Sequence, residues 1–225
     1  MIKVTYIDHM GDDLSVVNAA RVSFGKKSEL ECIDMVKGVY VLSHKDTKLI
    51  QYLAKHKHMS PFGHAFASFH VKAPIFVARQ LVKHKFLRWN EISRRYVDDE
   101  PEFYVPDQWR GRSADKKQGS EGVIDSSDLD HELNMLDDAY SDIKAIYKSM
   151  TDPKCGINVA PEMARMVLPQ TTMTEWYWSG SLDAFADMCN LRCASDTQAE
   201  TQSVAVQISR KMRKLFPVSW EALVR

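Results

Sequence analysis

Three short stretches of the chain have the pattern or composition of β-strands. Across 63–71, Ala65, Ala67, Phe69 and Val71 face one way and alternate with His64, Phe66, Ser68 and His70. This period of two predicts a strand with one buried face. The runs IKVTYI at 2–7 and TEWYWSGS at 174–181 are rich in β-branched and aromatic residues, which favour strands. The Trp176-Tyr177-Trp178 run is more typical of a strand or an interface than of a ligand platform.

Apolar residues at spacings of three and four predict helices in much of the remaining chain. Asp46 is placed to cap a helix over 46–56, and Pro74 suits the first turn of a helix over about 74–84. Further helices are predicted after an N-cap at Asp12 or Asp13, over 129–150, from Pro161 to a stop at Pro169, and over 198–216.

Two segments lack a helical or strand period. Residues 28–45 are ambiguous, and 110–128 are polar, aperiodic and contain several Gly and Ser residues, which predicts a surface loop inserted into the domain. The elements together indicate an α+β fold. We expect a single domain over 1–225, with helices packed around a small antiparallel or mixed sheet.

Composition narrows the class of protein. The 225 residues are 44% hydrophobic and 27% charged, which is typical of a folded globular protein. Thirty Lys and Arg balance thirty Asp and Glu, so no overall charge favours nucleic acid or an anionic membrane. The sequence contains neither an apolar stretch of membrane-spanning length nor a signal-peptide pattern, so we expect a cytoplasmic protein. The four cysteines form no CxxC pair, and we expect reduced thiols that mostly pack in the interior.

Positive charge is concentrated in one segment. Residues 79–95 contain six cations and one acid, whereas an even distribution would give about two cations. The cations are Arg79, Lys83, Lys85, Arg88, Arg94 and Arg95, and the acid is Glu91. Cations suit phosphate groups, while the nearby amide, carboxylate and hydroxyl groups of Asn90, Glu91 and Ser93 can read a base or a sugar. The segment therefore predicts a local site for a small phosphorylated ligand.

The predicted helix at 74–84 separates polar from apolar side chains. Arg79, Gln80, Lys83 and His84 project to one face, and Ile75, Ala78 and Val82 project to the other. An ordinary amphipathic helix with a solvated basic face has the same pattern, so both interpretations stay open at this point. Lys85 would project into the apolar face, so we expect the helix to end or distort before it.

The run KHKFLRWNEISRRY at 83–96 resembles the signature of the flavin-dependent thymidylate synthases, the ThyX family. That signature is a basic-His-basic triplet, seven residues and a serine, here Lys83-His84-Lys85, 86–92 and Ser93. Similar segments are AARVSF (19–24), HMSPFGH (58–64), FHVKAPIFVARQ (69–80), EFYVP (102–106), PEMARMVLP (161–169) and NLR (190–192). The resemblance covers most of the chain except 25–45 and 110–130, and it implies a ThyX-like fold.

The resemblance also implies an activity. Family members methylate dUMP to dTMP with 5,10-methylenetetrahydrofolate as carbon donor, NADPH as reductant and FAD as cofactor. The implied dUMP ligands are Gln80, Lys83, Glu91, Ser93, Arg94, Arg95, Arg165 and Arg192. Arg192 is also the implied catalytic residue, because a fixed cation stabilises negative charge on the uracil ring. A cysteine nucleophile is not required, and spacing identifies no base beside Cys155.

A second set of residues is implied to bind the flavin. These residues are Ser23, Ser60, Lys83, His84, Lys85, Glu91 and Asp187. The chain has no GxGxxG motif, so a Rossmann mode of binding is excluded, and side chains from several segments must hold FAD. The resemblance further implies a homotetramer with active sites at subunit interfaces, and no metal.

The chain departs from the family pattern at several positions. Lys83 and Lys85 replace the usual Arg residues, which keeps the charge but loses the planar fork. Asp187 stands where Asn is usual, Asp196 where His is frequent, and Gly63 where Glu is common. An inactive or altered family member that binds FAD or a nucleotide is therefore one alternative.

Two other classes of protein are weaker alternatives. In a nucleic-acid-binding module, Phe86, Trp89 and Tyr96 would stack on bases beside the cations, but the chain has neutral charge and no second basic segment. In a metal enzyme, the histidines between 56 and 70 would be ligands, but their spacing matches no standard zinc pattern. We therefore expect neither nucleic acid nor metal as a partner.

Overall fold

A four-stranded sheet forms the centre of the protein in the computed structural model, which describes residues 1–114 and 119–224. The strands are β1 (Lys3–Met10), β4 (Phe66–Pro74), β5 (Leu87–Glu91) and β8 (Met173–Ser181), and two small hairpins are formed by β2 (Glu31–Asp34) with β3 (Val39–Val41) and by β6 (Arg110–Arg112) with β7 (Ser120–Val123). The sheet order is β1-β4-β8-β5, and each neighbouring pair is antiparallel. The expected sheet is thus antiparallel and not mixed.

Helices surround this sheet. They are α1 (Asp13–Arg21), α2 (His44–Lys55), α3 (Ile75–Leu81), α4 (Asp130–Thr151), α5 (Pro161–Ala164), α6 (Leu182–Arg192), α7 (Ala199–Leu215) and α8 (Pro217–Leu223). The α+β prediction is confirmed. In the described part of the chain, no helix combines the length and the apolar character needed to cross a membrane.

The inner face of the sheet is the core, as the alternation at 63–71 predicts. Phe69 and Val71 on β4 are fully buried and pair in register with Trp178 and Trp176 on β8. Phe185 on α6 packs edge-on against Phe69, with ring centroids 5.3 Å apart. Burial of these large rings removes much apolar surface from water, which holds α6 against the sheet. The strand interpretation of the Trp-Tyr-Trp run is confirmed.

The end of α3 differs from the expectation. The helix starts after Pro74 as predicted, but it ends at Leu81 and not near 84. Residues 87–91, for which the sequence predicted no strand, form β5 and pair with β8. A Cβ at Gly180 would lie 2.4 Å from Cδ2 of Leu87, so glycine allows this close approach. Phe86, at φ +64°, makes the turn between α3 and β5.

Several local predictions are wrong for identifiable reasons. The N-cap of α2 is Ser43, whose hydroxyl accepts from the backbone N–H of Asp46 at 3.1 Å. Residues Ser60–His64 form a 3₁₀ turn, so His64 does not share strand β4 with His70. Cys32 and Cys155 are exposed, and Cys189 is buried. The prediction that the cysteines pack in the interior is therefore wrong for Cys32 and Cys155.

Two segments without a sequence period contain hairpins. Residues 28–45 include β2 and β3, and the segment expected as a surface loop at 110–128 includes β6 and β7. Positions 115–118 of that segment lie outside the described residues. Strands this short are stabilised by pairing with a partner strand. Their sequences therefore do not show the alternation of apolar and polar residues from which a strand is predicted.

Candidate active site

A cleft of about 950 Å³ opens where α3, the end of α6 and the start of α7 meet the β6–β7 hairpin. Gln80, Lys83 and Arg192, which come from two distant segments of the chain, all line it. Arg79 and Arg110 also line the cleft, together with the acids Asp196 and Glu200, and Glu200 is paired with Arg110. Cations therefore outnumber acids in its walls. Such a cavity is large enough for a nucleotide, and its charge suits an anionic ligand.

Gln80 and Lys83 reach the cleft from the end of α3. Gln80 is hydrogen-bonded to two side chains at the start of α7, Gln198 and Thr201. Lys83 follows the last residue of α3 and is exposed. Because the helix ends before Lys85, that lysine does not enter the apolar face, as expected, and it does not line the cleft.

Arg192, the last residue of α6, contacts His84. Its Nε donates to Nε2 of His84 at 3.1 Å. Burial, and then the charge of Arg192, lower the pKa of His84 from 6.5. The imidazole is therefore neutral, with its proton on Nδ1, because a protonated ring has no acceptor. Among the described residues, the Nη groups of Arg192 have no hydrogen-bond partner, so they are available to a ligand.

The β6–β7 hairpin is held to α7 by an ion pair. The guanidinium of Arg110 pairs with Glu200, whose side chain is only 7% exposed, and its Nε donates to the hydroxyl of Ser120 at 2.8 Å. Gly119 also lines the cleft, and a Cβ added to it would lie 2.9 Å from the carbonyl oxygen of Asp196. The hairpin therefore packs closely on the segment between α6 and α7.

A second group of predicted dUMP ligands does not line the cleft. Its members are Glu91, Ser93, Arg94, Arg95 and Arg165. Arg95 and Arg165 meet at Glu162, which forms an ion pair with Arg95 at 3.7 Å and accepts from Nε of Arg165 through its carbonyl oxygen at 3.2 Å. The structure thus divides the predicted ligands into a cleft group and these five residues, which we call the group near α5 after the contacts of Arg95 and Arg165 with Glu162.

Each carboxylate oxygen of Glu91 accepts one hydrogen bond from its own sheet. Thr174 donates its hydroxyl to Oε1 at 2.6 Å, and Trp89 donates its ring N–H to Oε2 at 2.9 Å. Arg94 donates to the carbonyl oxygen of Asp99, and the hydroxyl of Ser93 accepts from the backbone of Arg95. These contacts hold the 91–99 segment in one conformation.

The predicted flavin ligands Ser23, Ser60 and Asp187 also lie outside the cleft. Ser23 follows α1, Ser60 begins the 3₁₀ turn, and that turn packs against both α1 and α6. Partial burial, and then the Asp183 carboxylate, raise the pKa of Asp187. Oδ1 of Asp183 is buried without a hydrogen-bond partner among the described residues.

Sequence reasoning missed the cleft residues at the start of α7 and on the hairpin. Gln198 and Glu200, which line the cleft, stand at the start of a predicted helix, where a polar residue is expected anyway. Thr201 stands beside them, outside the cleft lining. Tyr104 was part of a family-like segment but was given no role. Burial, and then the Glu200 carboxylate, raise the pKa of Tyr104, so its hydroxyl remains a hydrogen-bond donor. Across the described ranges, no three His, Cys, Asp or Glu residues are grouped to hold a metal.

Comparison with known proteins gives consistent matches. A family model described as thymidylate synthase complementing protein matches residues 5–218. A flavin-dependent thymidylate synthase of Thermosipho africanus is 36% identical over 219 residues, which are 97% of this chain and 89% of that protein. Another from Thermus thermophilus is 38% identical over 220 residues, with 97% and 74% covered.

A solved structure agrees with these sequence matches. It is the UMP/dUMP methylase PolB from Streptomyces cacaoi bound with 5-Br UMP, with a TM-score of 0.81 and 31% identity. The match covers 99% of this chain and 93% of that protein.

Proposed function

The chain belongs to the thymidylate synthase complementing protein family, and we propose that the cleft between α3, α6 and α7 holds dUMP. The enzyme is a methyltransferase that converts dUMP to dTMP, with 5,10-methylenetetrahydrofolate as carbon donor, NADPH as reductant and FAD as cofactor. Because the reaction uses a free nucleotide and a reduced folate, we also expect it to take place in the cytoplasm.

The assignment of the cleft as the dUMP site rests on one observation: Gln80, Lys83 and Arg192 all line it. These three residues were named independently of the structure. Gln80 lies on α3, Lys83 lies just after that helix, and Arg192 ends α6, more than a hundred positions later. Lys83 has no ion-pair partner among the described residues, so its charge is available to the phosphate or the sugar side of dUMP. Gln80 supplies an amide that can both donate and accept.

Arg192 is proposed to act on the uracil ring. His84 fixes its Nε, and the Nη groups, which have no hydrogen-bond partner in the part of the chain that the structure describes, can contact the ligand. A cation held in place before the reaction stabilises negative charge that develops on the ring, and it does so without reorganisation of solvent. This role requires no cysteine, and Cys155 is exposed and outside the cleft.

The group near α5 is proposed to complete the dUMP site of a neighbouring subunit. Arg94, Arg95 and Arg165 suit a phosphate, and Glu91 and Ser93 can read a base or a sugar. None of the five lines the cleft of its own chain. Closed symmetry would bring this group to the cleft of another copy. We propose a homotetramer in which each dUMP site is built from two chains.

FAD is proposed to bind outside the cleft formed by one chain, against Ser23, Ser60, Lys85 and Asp187. Lys83, His84 and Glu91 would then lie at the boundary between the flavin site and the dUMP site. The residues fit such a group, because exposed hydroxyls and an ammonium suit a pyrophosphate. An added Cβ at Gly63, beside Ser60, would meet no atom within 4 Å, and the buried Oδ1 of Asp183 lacks a partner among described residues. When bound, FAD supplies the electron transfer that the reduction requires.

The test is release of tritium from dUMP labelled at C5, with FAD, NADPH and methylenetetrahydrofolate supplied. We expect release together with dTMP formation, and both should stop when either co-substrate is omitted. Absence of turnover by flavin-loaded protein would establish the inactive alternative. A protein without a flavin spectrum that binds oligonucleotides with steep salt dependence would support the nucleic-acid alternative.

A binding measurement tests the cleft directly. Lys83→Ala should weaken dUMP binding about tenfold, which corresponds to about 1.4 kcal/mol. Lys48→Ala, on the exposed side of α2 and away from the cleft, is the matched control and should bind dUMP as the unaltered protein does. Equal affinities for both variants would contradict the assignment.

A further inference from the structure

The side chain of Gln80 is held at both ends by the start of α7. Its Nε2 donates to Oε1 of Gln198 at 2.6 Å, and its Oε1 accepts from the hydroxyl of Thr201 at 3.2 Å. Thr201 is fully buried, and Gln198 is the N-cap residue of α7. Gln80 is the only one of these three residues that the sequence motif had identified.

These two contacts hold the amide of Gln80 in place. While the Gln198 amide keeps its orientation, a half-turn of the Gln80 carboxamide would bring its oxygen against Oε1 of Gln198, and two acceptors repel each other. The Thr201 hydroxyl supports the observed direction by donating to the oxygen. With one N–H and one lone pair used in this way, a single N–H and a single lone pair remain for a ligand.

We propose that Thr201 is a positioning residue for dUMP binding, which acts by fixing the carboxamide of Gln80. This inference rests on the proposed role of Gln80 as a dUMP ligand. Thr201 does not line the cleft, so it acts through Gln80 and not on the nucleotide. A preoriented amide binds without first losing the freedom to rotate, which improves affinity.

Steady-state kinetics of Thr201→Val provide the test, because valine has nearly the same shape and lacks the hydroxyl. We expect KM for dUMP to rise about fivefold, the equivalent of about 1 kcal/mol for one hydrogen bond. kcat should stay nearly unchanged, because the contact is made equally in the bound substrate and the transition state. Thr201→Ser restores the hydroxyl and should restore KM.

Thr172→Val is the matched control. Thr172 is also fully buried, and its hydroxyl donates to the carbonyl oxygen of Pro169 at 2.7 Å, away from Gln80. We expect a similar loss of thermal stability with an unchanged KM. A rise in KM for this control as large as that for Thr201→Val would show a general structural effect and overturn the proposal.

Two further variants separate the possible failures. Thr201→Ala removes the hydroxyl without adding volume, and it replaces Thr201→Val if that variant does not fold. Gln80→Ala tests the premise: an unchanged KM for dUMP would refute the role of Gln80 itself. If Gln80→Ala raises KM while Thr201→Val and Thr201→Ala do not, or if Thr201→Ser fails to restore it, the role of Thr201 is wrong and that of Gln80 stands.

Discussion

Arg192 and His84, which are 108 positions apart in the sequence, are joined by a hydrogen bond of 3.1 Å from Nε of the arginine to Nε2 of the histidine. The bond exists only while the imidazole is neutral, because a protonated ring offers no lone pair. Burial and the neighbouring guanidinium both disfavour protonation of His84 and lower its pKa. The cation proposed to act on uracil is thus oriented by the histidine of the basic-His-basic triplet.

We therefore predict an unusual pH dependence of kcat/KM. The acceptor is present above the lowered pKa of His84 and is lost as pH falls through it, so activity should remain level through pH 6.5 and fall only in more acidic solution. The free energy of unfolding should also decrease as pH falls, because His84 takes up a proton at higher pH in the unfolded chain than in the folded chain. A pH profile of flavin-loaded enzyme checks this.

Variants of His84 identify the group responsible. His84→Gln places an amide oxygen where Nε2 lies and should keep most of the activity while the acidic decrease disappears. His84→Leu should lower activity about tenfold or more, as expected for loss of a hydrogen bond to a charged group. Bound flavin, measured by visible absorbance, separates this effect from cofactor loss. An unchanged acidic decrease in His84→Gln would assign it to another group.

The parts of the fold that depend on local period were predictable. Phe69 and Val71 lie where alternation placed them, because one buried face imposes a period of two. Trp176 and Trp178 lie on the strand that the composition of 174–181 predicted. β5 was not predictable, since Arg88 is exposed and the strand exists through its pairing with β8. An apolar pattern cannot reveal a strand that is defined by its neighbour.

The candidate site was predictable only where a motif marked it. Gln80, Lys83 and Arg192 were named from sequence, and the cleft unites them. The contacts of Gln80 with Gln198 and Thr201 span 118 and 121 positions, and neither residue type is unusual at a helix start. The separation of Arg95 and Arg165 from the cleft likewise depends on tertiary packing, which no local pattern records.

Replacement of Arg192 and of Cys155 should have opposite consequences. Arg192→Ala removes the cation from the cleft, and we expect turnover to fall by about 10²–10³, as for loss of a preorganised electrostatic contact. Cys155→Ser should keep turnover nearly unchanged, because the thiol is exposed and lies outside the cleft. Tritium release from labelled dUMP measures both. The reverse result would restore a cysteine mechanism.

The ion pair between Arg110 and Glu200 should contribute strongly to stability. Their side chains are 28% and 7% exposed, so Arg110→Ala leaves a mostly buried carboxylate without its partner. We expect a loss of about 3 kcal/mol in the free energy of unfolding. Arg110→Met combined with Glu200→Met should recover part of this loss, because no unpaired charge remains. Urea unfolding at fixed protein concentration measures each variant.

An exposed ion pair provides the comparison for Arg110→Ala. Lys144 and Glu100 lie 3.0 Å apart, with side chains 39% and 76% exposed. Solvent screens such a pair, so Lys144→Ala should cost less than about 1 kcal/mol. Equal losses for Arg110→Ala and Lys144→Ala would mean that burial of Glu200 does not strengthen its dependence on Arg110.

Mixing of two binding-deficient variants tests whether two chains build each dUMP site. Lys83→Ala damages the cleft group and Arg95→Ala damages the group near α5, so each pure variant should have low activity when dUMP is kept well below its KM. In mixed oligomers, a site that takes Lys83 from one chain and Arg95 from another is intact in about a quarter of random pairings. Co-expression with two affinity tags, followed by purification of doubly tagged protein, should recover activity of that order.

The matched control combines two variants within the cleft group. Lys83→Ala mixed with Gln80→Ala should recover no activity, because both residues line the same cleft of one chain and every cleft carries one defect. Recovery in this control, or its absence from the Lys83→Ala and Arg95→Ala mixture, would contradict sites shared between subunits. In the second case the group near α5 would have to serve its own chain, and the separation between Arg95 and the cleft would have to close within one subunit.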